Sequence, residues 1–120
     1  MRKLFLLTAL IALIVTADAD ARVKIKGRAD AMNFDPAGIP AQFQEAFKIM
    51  SKKCIKCHTM ERTVIALDTG IAPITGGVFD KGATRAYGIK MLRKPDSNMS
   101  KDDVKVVVEL MNFLIDESNR

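Results

Sequence analysis

The chain holds two cysteines and one histidine, and all three fall in one five-residue run, Cys54-Ile-Lys-Cys57-His58. Two thiols and an imidazole at that spacing can do only a few kinds of chemistry. A disulfide between Cys54 and Cys57 would close a very small, strained loop. A thioredoxin-like redox pair comes with a βαβ pattern, which the sequence lacks. A zinc site needs a fourth ligand of Cys or His type, and there is none. The remaining chemistry is thioether formation, because C-x-x-C-H is the spacing of c-type haem attachment. On one turn of helix, Cys54 and Cys57 point toward the same porphyrin edge, and each thiol adds to one vinyl group. His58 then projects beneath the ring and gives the iron its proximal nitrogen. The expected cofactor is a single covalent haem c with its iron.

The sixth iron ligand decides what such a haem does. With no second histidine, methionine is the natural candidate, and the chain has six besides Met1. Met60 is two residues past His58 and cannot reach the opposite face of the ring. Met50 and Met111 lie on apolar helical stripes and suit core packing. Met32 lies in an unpatterned stretch. Met91 and Met99 remain. Met99 precedes the helix-capping Ser100, so it can staple against Val104 four positions into the helix. Met91 has no such structural duty and is the preferred ligand, with Met99 the alternative.

The elements that must position these residues follow from periodicity. Phe43, Ala46, Phe47 and Met50 fall at i, i+3, i+4 and i+7, one apolar helical face that leads directly into Cys54. Pro40 suits the start of that helix. A second short helix after His58 is expected to end before Gly70, a residue suited to a left-handed cap. Residues 70–79, with three glycines and a proline, read as a loop. Asp80 can cap a third short helix that stops at Gly88, followed by a loop over 89–99 with Pro95 at its centre. The last helix is the clearest. Ser100 and Asp103 form a capping box, and Val104, Val107, Val108, Met111 and Leu114 make a continuous apolar stripe. The predicted fold class is all-α, with the helix before the haem motif packed on the last helix.

Ahead of this domain, residues 22–35 read as an extended arm or a small hairpin, and residues 1–21 as a signal peptide. Arg2 and Lys3 give a positive start, residues 4–17 are apolar apart from two threonines, and Ala17-Asp18-Ala19 and Ala19-Asp20-Ala21 are small-residue cleavage patterns. The apolar run falls short of the roughly 20 residues that cross a bilayer. Cleavage is therefore expected, leaving a periplasmic protein with no lasting membrane anchor. The domain proper spans residues 36–120.

The formal charge is +5, and removing residues 1–21 takes away Arg2, Lys3, Asp18 and Asp20 without changing it. Two haem propionates would lower it to about +3. That surface suits redox partner proteins with acidic docking faces, and Lys52, Lys53 and Lys56 stand beside the thioether edge as steering charges. Solubility accounts for the same charges equally well. The lysines are dispersed and lack an aromatic platform, which argues against nucleic acid. A monomer is expected.

Taken together, residues 36–118 resemble the class I c-type cytochromes. The segment Ala46-Phe-Lys-Ile-Met50 before the haem motif is similar to the family's N-terminal helix. Gly88-Ile-Lys-Met91 is similar to its Gly-x-Lys-Met segment, and residues 102–114 to its closing helix. The resemblance implies a small class I cytochrome c-like fold of short helices wrapped around one haem. It implies His58/Met91 ligation, a Pro73 carbonyl that accepts from the proximal histidine, and a one-electron carrier with no enzymatic activity. The stretch from His58 to Met91 is short for the family, and the arm at 22–35 is extra. A haem-based ligand-binding or sensor protein with an open or displaceable distal site is the other function that Cys54, Cys57 and His58 allow. A peroxidase is a third, but no second histidine or distal acid–base set accompanies the motif.

Overall fold

The computed structural model describes residues 23–56 and 58–120. The signal-peptide assignment, Arg22 and the second cysteine of the motif, Cys57, lie outside the described residues. Four α-helices carry the fold, so the all-α expectation holds at the level of class: α1 (Gln44–Lys53), α2 (Glu61–Thr69), α3 (Lys81–Leu92) and α4 (Lys101–Ser118). Two short strands precede them, β1 (Ile25–Lys26) and β2 (Asn33–Phe34), paired antiparallel with Ile25 opposite Phe34. No helix among the described residues is long and apolar enough to cross a membrane.

α4 is the organising element because it packs against each of the other three helices. It begins on a complete capping box. The Ser100 hydroxyl accepts from the Asp103 amide at 3.0 Å, and the Asp103 carboxylate accepts from the Ser100 amide at 2.8 Å. Two donors that a helix start leaves orphaned are thereby satisfied. Its apolar stripe supplies Val104, Val107, Leu110, Met111, Leu114 and Ile115 to the interior. α1 meets that stripe with Ala46, Phe47 and Met50, and Phe47 and Met111 belong to one buried cluster. Phe43, just ahead of α1, is partly buried and packs its ring 4.9 Å from that of Phe113.

The arm at 23–35 is a small hairpin rather than an extended strand. Its Phe34 is fully buried in the common core. Gln44 closes the connection into α1, donating to the carbonyls of Pro36 at 3.0 Å and Ile39 at 2.6 Å. α2 ends as its sequence predicts, with Gly70 in the left-handed region at φ 70°. The loop at 70–79 folds on itself through an isolated bridge between Ile71 and Val78.

α3 departs from the sequence expectation. Asp80 caps it, accepting from the Ala83 amide at 2.9 Å, but the helix runs through Gly88 and ends at Leu92. Gly88 is not a terminator. A Cβ at that position would lie 2.9 Å from both Val104 Cγ1 and Val108 Cγ2. The missing side chain lets the α3 and α4 backbones approach closely, so glycine here serves helix packing and not a turn. The buried Thr84 hydroxyl adds a polar clasp to the same interface, 2.8 Å from Asn112 Oδ1.

Candidate haem site

α1 leads into the first cysteine of the motif, Cys54. The helix passes without a break into a 3₁₀ turn over Cys54–Lys56, and the Cys54 amide still donates to the Met50 carbonyl. Cys54 is half-buried and packs against the core cluster. Burial pushes its thiol up to about 11, because an apolar surrounding disfavours the thiolate.

His58 follows on the loop into α2 and is half-buried. Its Nδ1 donates to the Thr59 carbonyl at 2.8 Å. A carbonyl can only accept, so Nδ1 carries a proton, and in the neutral ring Nε2 then keeps the lone pair that a metal requires. The Pro73 carbonyl implied by the family resemblance does not orient this ring; the adjacent backbone does. Pro73 instead lines the cavity described next.

Cys54 and His58 open into a cavity of about 400 Å³, within the range of cofactor sites. Met50, Ala66, Phe79, Val104, Val107 and Met111 form much of its apolar wall. Both candidate distal methionines line it, Met91 from the last turn of α3 and Met99 from the loop before α4. The structure thus brings Cys54, His58, Met91 and Met99 to one space. It changes the setting of Met91, which lies on helix rather than on the free loop expected from a stop at Gly88. Met50 and Met111 are buried core residues as expected, and both also line the cavity; Met60 is buried in the same core and Met32 partly buried against it, which the sequence did not suggest.

The polar lining was not anticipated. Arg62, Lys90 and Lys94 border the cavity, and among the described lining residues there is no Asp or Glu. Thr75 and Tyr87 join hydroxyls at 3.0 Å there and tie the 70–79 loop to α3. A flat apolar macrocycle with two carboxylates requires apolar walls, a few cations and a nitrogen ligand, and the residues present fit that group. One sequence signal pointed to this wall. Thr84, Tyr87, Gly88 and Met91 stand at i, i+3, i+4 and i+7, a helical face that continues straight through the glycine.

Lys53 also differs from expectation. Its ammonium donates to Asp103 Oδ2 at 2.6 Å, and the two side chains are 27% and 16% exposed. It is engaged within the fold, whereas Lys52 and Lys56 are exposed. Compared with family models, curated proteins and solved structures, the chain has no match.

Proposed function

We propose that this chain is a class I-like monohaem c-type cytochrome, exported to the periplasm, that carries one electron at a time between redox partner proteins. The observation that carries the reading is the convergence of Cys54, His58, Met91 and Met99 on one apolar cavity bordered by three cations. Cys54 and Cys57 supply the thiols, each adding its S–H across one vinyl group of the porphyrin. His58 binds the iron through Nε2, the nitrogen left free by the bond from Nδ1 to the Thr59 carbonyl. Met91 is the proposed distal ligand, on the strength of the Gly88-Ile-Lys-Met91 resemblance and its place on the cavity wall. Arg62, Lys90 and Lys94 are suited to the two propionates.

The bound group supplies a one-electron couple, and His/Met ligation raises its potential into a range that suits electron transfer. If His58 and one of the two cavity methionines both held the iron, no open position would remain for a substrate. The exposed Lys52 and Lys56 beside the attachment segment steer an acidic partner, an effect that fades with salt.

The test begins with the full chain expressed in a host that exports it and attaches haem. After denaturing electrophoresis, a haem peroxidase stain on the protein band is expected. The reduced protein should keep an unchanged six-coordinate spectrum under carbon monoxide. An unstained band overturns the cytochrome reading. A stained band whose reduced spectrum shifts with carbon monoxide favours the sensor or ligand-binding function.

A further inference from the structure

Asp103 Oδ2 serves two partners at once. It accepts from the Ser100 amide at 2.8 Å, closing the α4 capping box, and from Lys53 Nζ at 2.6 Å. Lys53 is the residue immediately before Cys54, and Ser100 is the residue immediately after Met99. One carboxylate therefore joins the segment that bears the first haem thiol to the end of the α3–α4 connection, residues 93–100, which carries Met99 and follows Met91. Cys54, Met91 and Met99 all line the same cavity. The contact is mostly shielded from water, so it is screened less by salt than a surface pair.

The connection it holds has little else to fix it. The Arg93 amide donates to Ile89, the Lys94 amide to Met91 and the Ser97 amide to Lys94, all within the segment itself or to the helix end just before it. Asp96 and Asn98 stand in the left-handed region at φ 61° and 52°, a conformation that both residue types tolerate. No backbone bond of the connection reaches α1 or the 54–58 segment among the described residues.

We infer that Lys53 and Asp103 are a positioning pair that fastens the distal connection to the haem-attachment segment and so keeps the sixth ligand on the iron. This rests on the haem reading above. Breaking the pair loosens the start of α4, where Val104 packs on Gly88 of the helix that carries Met91, and would let the distal methionine move off and open the iron to an external ligand. The helices keep their own anchors without the pair, since the capping box survives loss of Lys53 and α1 is held in the core by Ala46, Phe47 and Met50.

Two substitutions separate this role from simple destabilisation. Lys53→Met removes the ion pair and leaves the Ser100–Asp103 box intact. Asp103→Asn keeps an oxygen that accepts from Ser100 and removes the charge. On the haem-loaded full chain, each change is expected to let carbon monoxide shift the reduced spectrum, which stays unchanged in the parent chain, at a temperature well below unfolding. The double variant is expected to show no more than either single one. Amide hydrogen exchange should speed up over 93–100 and stay unchanged over α2. A reduced spectrum that carbon monoxide leaves unchanged in both variants, or additive effects in the double variant, overturns the proposal. A chain that never takes haem overturns the haem reading itself, and exchange on the haem-free chain then decides the tether alone: unchanged exchange at 93–100 in Lys53→Met rules it out.

Discussion

Gly88 and Val104 meet across α3 and α4 with no room for a methyl group between them; a Cβ on Gly88 would stand 2.9 Å from Val104 Cγ1. Valine has one strongly preferred rotamer in a helix, so it cannot turn aside cheaply. Gly88→Ala gains about 1 kcal/mol of helix propensity and costs about 1–3 kcal/mol through overpacking. A net loss of roughly 1 kcal/mol is expected in denaturant unfolding. Gain of stability would show that α3 and α4 are not in that close contact. At Gly70 the physics differs. A Cβ there meets nothing within 4 Å, but φ is +70°, so Gly70→Ala should cost about 1 kcal/mol through backbone strain alone.

The two cavity methionines can be told apart by spectrum. Met91→Ala is expected to abolish the weak sulfur-to-iron charge-transfer band of the oxidised protein, lower the reduction potential and admit carbon monoxide. Met99→Ala is expected to keep the band and to cost of the order of 1 kcal/mol, as the loss of a helix-start contact does. The reverse pattern would assign the ligand to Met99 with the function unchanged. Retention of the band in both would point to another ligand.

Cys54 gives the haem-free chain a pH signature. Burial holds its thiol up at about 11 in the fold, above the ordinary 9.0. Between those values the unfolded chain loses a proton that the folded chain keeps, so stability falls as pH rises through that window and is undiminished below it. Thermal melts from pH 8 to 11 should show this fall, and alkylation of Cys54 should stay slow at pH 8 until denaturant is added. The haem-loaded protein, whose Cys54 sulfur no longer titrates, should lose this contribution. An equal alkaline fall in both forms would contradict the assignment.

Asp103 works in the opposite direction. The hydrogen bond from Lys53 and then the one from the Ser100 amide hold its carboxyl below the usual range. A carboxylate lowered in the fold stabilises at pH above its unfolded value, and that contribution disappears as pH falls through the folded one. Melting temperature should therefore drop as pH falls below the ordinary aspartate range of about 4, and Lys53→Met should make that acid limb shallower. An identical limb in Lys53→Met would show that the cap alone sets it.

Local signals in the sequence were reliable wherever one residue decides the outcome. The capping box of Ser100 and Asp103, the Asp80 cap and the left-handed Gly70 each follow from backbone donors and acceptors within a few residues. The stripes of α1 and α4 follow from a period that burial enforces along the whole helix. Gly88 misled because glycine has two uses, a turn and a close approach, and only the partner helix distinguishes them. Lys53 looked like a free surface charge because its partner lies 50 residues on. The site divides the same way. Cys54 and His58 were legible from spacing, whereas Arg62, Lys90 and Lys94 reach the cavity only through tertiary packing.

The burial of Leu110 and Leu114, both fully enclosed, has a bearing on the order of events in the cell. α4 is the last of the described helices along the chain, and it completes the interior. Until it arrives, α1 has no opposing stripe and the cavity has no α4 wall. A chain without α4 in place would expose Cys54 and bring its thiol back toward the ordinary value. Closure by α4 then withdraws it from solvent, so the chemistry that uses this sulfur has its easiest opportunity before the chain is finished folding.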